Sequence, residues 1–246
     1  MKTRRFPIRL ALSLSTLLLL RACGAHHPST SQSPANVKAK PVKGGDATLQ
    51  HVEAFYARLL AIRRPDLAAA YAMPPRDETF EALSESDIAT HVHDLNLMLT
   101  DLDRVATSPR SDSLRMRIRR ELRQYEPDGA IRRDPLLWMD ILQAAVMAPL
   151  AGNPTGGCDE THKIEIRLRA FPEALRGASV LMRNAPLPDS AAFTQRIARF
   201  EFFLRSDLTA RTDACKDGKR LADFTEADTL AAASLMEFRR SLAPGE

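Results

Sequence analysis

The chain has 246 residues, of which 44% are hydrophobic and 27% charged, with three cysteines and a formal net charge of +4. Its positive sign is local. Five of the 35 Lys and Arg (Lys2, Arg4, Arg5, Arg9 and Arg21) fall in the first 22 residues, which hold no acid, leaving 30 basic against 31 acidic residues beyond. A near-neutral remainder excludes the broad positive field that nucleic-acid binding needs, while its apolar content suffices for one domain with its own core.

Residues 1–22 read as a secretory signal peptide: a basic n-region, then an apolar run from Leu10 to Leu20, too short to span a bilayer, then small residues. Leu20-Arg21-Ala22-Cys23 resembles a bacterial lipobox, in which Cys23 becomes the first mature residue and carries the lipid. Ala22 and Gly24 fit that pattern and Arg21 departs from it. Cleavage after Ala25 would instead give a soluble periplasmic protein. Acyl chains on Cys23 would anchor the chain to the membrane, each buried methylene adding about 0.8 kcal/mol. Gly24 rather than Asp points to the outer membrane, facing the periplasm. Residues 23–45, rich in Ser, Pro, Lys and Gly, are expected to form a disordered tether.

Residues 46–246 carry helical periodicity throughout, with no sustained strand alternation. The spacing predicts an all-α fold, an irregular bundle of about six to eight helices. Asp46 opens a helix with Leu49, Val52, Phe55, Tyr56, Leu59 and Leu60 inward, ended by Pro65. A short turn, Asp66 to Tyr71, stops at Pro74-Pro75. Ser84 or Ser86 starts a long helix with Ile88, Val92, Leu95, Met98, Leu99, Leu102 and Val105 inward, stopped by Pro109. Asp112 caps a helix to Tyr125, with Leu114, Ile118 and Leu122 inward. Asp134-Pro135 starts a helix to about Leu150, apolar around most of its girth and therefore central.

Asp159 to Arg183 forms a long helix that Pro172 must kink or split in two. After a Pro186/Pro188 turn, Asp189 or Ser190 caps a helix to about Thr212. Lys216 to Lys219 is a loop, and Thr225 caps the last helix, ending near Leu242. Two of these helices, nearly equal in length and joined by a short turn, are expected to pack as an antiparallel hairpin. Cys158 precedes the first and Cys215 follows the second, so a Cys158–Cys215 disulfide would clasp the open end, as an oxidising compartment permits.

The chemistry-bearing residues are sparse. There is no His-Glu-x-x-His, no Gly-x-Ser-x-Gly, no phosphate-binding Gly-rich loop and no Cys-x-x-Cys. His91 and His93 lie about 200° apart around a helix and cannot chelate one metal locally, so both read as surface or partly packed residues. The tether pair His26-His27 is too flexible for a firm metal site. Asp159 and Glu160, beside His162, suit the positive end of a helix dipole. Arg115 to Arg120 reads as the solvated face of a helix. A tentative small-molecule pocket would lie near Trp138, Phe171 and Pro172. No catalytic residue, metal ligand or cofactor is expected.

Arg133-Asp134-Pro135-Leu136-Leu137-Trp138, and the run from Arg167 through Phe171-Pro172 to Ala178, resemble the N-terminal helical half of the bacterial domain-of-unknown-function family 885, over roughly residues 50–242. The resemblance implies a helical fold and an envelope location. Full-length members carry a His-Glu-x-x-Pro-Gly-His type motif in a C-terminal half, which implies a zinc-peptidase-like protein. That motif is absent from this sequence, so no catalytic residue carries over. The expected function is a non-catalytic envelope lipoprotein with a binding or scaffolding domain and a possible envelope partner protein. The alternative is the N-terminal half of a split or truncated zinc metallopeptidase-like protein.

Overall fold

The computed structural model describes residues 45–74, 80, 81, 83–183, 185 and 190–242. These belong to one compact unit. The expected signal peptide, Cys23 and nearly all of the tether lie outside them, as do Pro75, Pro186, Pro188 and Asp189.

The described residues are helical with no strand. Helix α1 (Gly45–Arg63) buries Leu49, Val52, Tyr56, Leu59 and Leu60. Phe55, expected inward, is 40% exposed, because the stripe centres on Val52, Tyr56 and Leu59. Arg64 breaks the helix and α2 (Pro65–Ala70) restarts with proline in its first turn, where a missing N–H costs nothing. Helix α3 (Glu85–Asp103) begins with a reciprocal cap between Ser84 and Asp87 and buries Ile88, His91, Leu95, Met98 and Leu102.

Helix α4 (Pro109–Gln124) starts earlier than Asp112. Ser108 and Ser111 cap each other's backbone and Pro109 occupies the first turn, so that proline opens a helix rather than only closing the one before. A short helix α5 (Ala130–Arg133) leads into α6 (Pro135–Met147), where the Asp134 carboxylate accepts from the Leu136 N–H at 2.9 Å. Trp138, Met139, Ile141, Leu142, Ala145 and Val146 are all buried, which makes α6 the central helix. A tighter 3₁₀ turn, Ala148–Ala151, ends it.

Pro172 splits the predicted long helix into α7 (Cys158–Arg169) and α8 (Phe171–Leu181), abutting at Ala170. Helix α9 (Ser190–Phe202) runs through a wider π-helical segment, Phe203–Leu208, into α10 (Thr209–Thr212). Helix α11 (Gly218–Leu242) starts seven residues before Thr225, because the Asp217 carboxylate accepts from the Lys219 and Arg220 N–H groups at 3.0 and 3.2 Å.

Helices α7 and α8 pack most extensively along α11, while α9 lies against α6 and α11. The ends of the expected hairpin nevertheless meet. Cys158 and Cys215 form a disulfide across 57 residues, with their Cα atoms 4.5 Å apart. Beside it, Gly156 has φ +58, and a Cβ there would collide with the Arg211 carbonyl oxygen. Only glycine lets the loop before α7 approach the end of α10 this closely.

Candidate functional site

Two features combine polar or cavity-forming residues: a buried polar cluster joining α1 to α4, and an apolar groove beside α6.

In the cluster, His91 on α3 and Glu121 on α4 are fully enclosed, with Nε2 and Oε1 2.7 Å apart. His91 meets the Tyr125 ring edge-on, centroids 4.9 Å apart. Tyr56 from α1 reaches Glu121. Burial first, then the Glu121 carboxylate, raises the Tyr56 phenol far above its ordinary pKa. Burial likewise raises the Tyr125 phenol, with the Arg64 guanidinium opposing. Arg64, fully buried at the α1–α2 break, donates to Asp66 at 2.9 and 2.7 Å and to Gln124 at 2.6 Å. Burial works against its charge, but Tyr125 and Asp66 outweigh that and raise its pKa.

The Tyr56 and Tyr125 hydroxyls, His91 Nδ1 and Glu121 Oε2 have no hydrogen bond of regular geometry. Both members of the His–Glu pair are shut away from solvent. The arrangement links residues of α1, α3, α4 and the α1–α2 break, at a desolvation cost.

His91 is thus a core residue, against the surface or partly packed role expected for it, whereas His93 is exposed as expected. A signal was present: His91 shares the apolar stripe of Ile88 and Leu95, and Glu121 that of Leu114 and Ile118. A lone ionisable residue on each of two apolar faces asks for a partner; which helices face each other is not written in either stripe.

The groove replaces the pocket expected at Trp138, Phe171 and Pro172. Trp138 and Phe171 are fully buried, and the Trp138 indole N–H donates to the Ile131 carbonyl at 3.0 Å, so both fill the core. Neither lines a described cavity. Pro172 borders a surface cleft of mixed polar and apolar lining between α8 and α11. The apolar hollow lies instead between α2 and the end of α6, about 280 Å³, walled largely by alanines together with Met73, Met147 and Leu150. Its one charged lining residue is Arg167, 4% exposed, whose Nη1 donates to the Ala145 carbonyl at 2.9 Å.

The remaining candidates are structural. Glu160 accepts from the Gly157 N–H at 2.8 Å, and that bond lowers its pKa, as an acid capping a helix start should. His162, 48% exposed at its side chain, contacts Glu165 at 3.0 Å, and Glu165 also takes Arg169 at 2.8 Å. Arg115 turns inward to cap α3 through the Leu102 and Val105 carbonyls, and Arg117 lies 4.5 Å over the Tyr71 ring. Only part of the basic run is therefore solvated face. Among the described residues no group of three or more His, Cys, Asp or Glu is placed to hold a metal ion, and no helix is long and apolar enough to cross a membrane.

Comparison with protein-family models, with curated proteins and with solved structures gave no match to this chain.

Proposed function

We propose that this protein is an exported envelope lipoprotein, anchored through acyl chains on Cys23, whose helical domain binds or scaffolds and performs no catalysis. The observation that carries the reading is the Cys158–Cys215 disulfide. The domain's two cysteines, far apart in sequence, are joined to each other, which suits an oxidising compartment and agrees with the leader-like residues 1–22. The shielding of His91 and Glu121 supports a structural role for this enclosed His–carboxylate pair. The groove beside α6 supports binding.

The split-metallopeptidase alternative would present an apolar docking face. Among the described residues, the large apolar side chains that are exposed (Phe55, Leu97, Met116, Ile166, Val180, Phe202 and Leu230) fall one to a helix.

The test is the intact mass of native protein extracted from membranes, before and after reduction. The expected mass is that of residues 23–246 plus acyl chains, gaining two hydrogens on reduction. An unmodified mass starting at His26 would replace the anchor with a soluble periplasmic protein. A mass unchanged by reduction would remove the disulfide and with it the main support for export.

A further inference from the structure

We propose that the outer face of α4 docks on the anionic headgroups of the bilayer that holds the Cys23 anchor. The inference rests on the anchored-lipoprotein reading above and names the surface that the domain turns toward the membrane.

Helix α4 carries six arginines against two acids, although the chain beyond residue 22 is close to neutral. Three of the six are answered inside the fold. Arg110 pairs with Glu53, Arg115 pairs with Asp112 at 2.9 Å, and Arg117 lies over the Tyr71 ring. The other three, Arg119, Arg120 and Arg123, are exposed, and among the described residues none of them has an ion-pair or hydrogen-bond partner. With Met116 they recur at i, i+3, i+4 and i+7, which puts all four on one stripe of the helix, about 10 Å long. Met116, at its start, is 65% exposed. Glu126 and Asp128 follow only past the end of the helix.

Arg119 and Arg123 stand one turn apart as a like-charge pair, which disfavours the free helix and is relieved by an anion. Guanidinium groups take phosphate oxygens two at a time, and an apolar tip among them enters the boundary between headgroups and acyl chains. None of the four residues lines a described hollow. An open row on the outside of a helix suits an extended anionic surface rather than an enclosed small ligand. Its place in the chain selects the membrane. The domain begins at Gly45, and Glu53, about 12 Å further along α1, pairs with Arg110 in the first turn of α4, so the chain enters beside the start of the helix that bears the stripe. Residues 24–44 span at most about 70 Å when extended, which keeps the stripe within reach of the bilayer holding Cys23.

The experiment uses the full mature chain carrying Cys23→Ser, so that binding does not depend on an acyl chain. It should sediment with vesicles of equal parts phosphatidylglycerol and phosphatidylcholine, fail to sediment with pure phosphatidylcholine, and be released by about 0.5 M NaCl. The triple variant Arg119→Gln/Arg120→Gln/Arg123→Gln should bind roughly tenfold or more weakly. Arg176→Gln/Arg183→Gln/Arg199→Gln, which removes the same charge from exposed positions on α8, α9 and the turn after α8, should stay within about twofold of wild type. Circular dichroism melts check that each variant folds.

A readout independent of charge comes from Met116→Cys carrying an environment-sensitive fluorophore, whose emission should shift to the blue on the anionic vesicles. The same label at the exposed Ala222→Cys should not shift. Absence of salt-sensitive vesicle binding, equal loss in the two triple variants, or an unshifted label at residue 116 would overturn the proposal. Binding of polyglutamate without binding of vesicles would overturn it in favour of an acidic protein partner. The anchor is read from the mass of the wild-type chain, so the docking face and the anchor can fail separately.

Discussion

Removing one member of the His91–Glu121 pair strands the other in the core. Both side chains are fully enclosed, and an uncompensated buried ionisable group costs about 3–5 kcal/mol. His91→Ala and Glu121→Ala should each lower unfolding free energy by about that much in urea titrations. Replacing both by leucine should cost well under the sum, since no orphan remains. Additive losses would show that the two side chains do not interact.

Two other carboxylates respond to pH with opposite sign. Asp228 on α11 has a buried oxygen without a partner, and burial raises its pKa above 3.8, Arg205 opposing. Its charge therefore costs stability above the raised folded-state value, and the cost fades as pH falls through it. Asp228→Asn should raise the melting midpoint at pH 7 by a few degrees, about 1 kcal/mol, with the gain shrinking toward pH 4. Glu165 behaves the other way. Burial works against its charge, but Arg169 and His162 prevail and hold its pKa below 4.5. Its contribution is present above the unfolded-state value and is lost as pH falls through the lowered folded one. Wild type should therefore lose more stability than Glu165→Gln between about pH 5 and 3, measured by thermal melts across that range.

At the scale of elements, the joints matter more than the helices. Gly156 combines a left-handed backbone with contact against the Arg211 carbonyl. Gly156→Ala should destabilise by roughly 3 kcal/mol, above the usual range for a loop substitution, read from denaturant midpoints. A loss below 0.5 kcal/mol would mean the loop re-forms without that contact. The same joint positions Cys158. Helix starts were legible where the cap is local: Asp134 before Pro135, Ser84 before Glu85. They were misplaced at Pro109 and at Gly218, because Ser108 and Asp217 compete with other plausible caps nearby. The outcome followed the caps rather than burial, since none of residues 218–223 is buried. The break at Ala170 was legible because the constraint belongs to proline alone.

For the whole molecule, the disulfide ties together two residues 57 apart in sequence. On the chain-entropy model a separation of 57 residues gives about 4 kcal/mol, an upper figure where the reduced chain retains structure. The Cys158→Ser/Cys215→Ser protein should lose up to that amount in urea unfolding and should match reduced wild type. A double variant as stable as the oxidised protein would show that packing of α7 and α8 along α11 holds this end without help.

The sequence by itself determined the helical class, most helix boundaries and the central place of α6, and it raised the pairing of the two domain cysteines as an expectation that the structure then bore out. The first three follow from a local period or a local cap, and the last from the expected meeting of two helix ends. Tertiary structure alone decided that α11 rather than α9 lies along α7 and α8, that His91 meets Glu121, and that Trp138 fills the core while the hollow opens among alanines. Helical periodicity states which face of each helix is apolar. It does not state which helix that face meets, and a cavity is set by the fit between two faces that are remote in the chain.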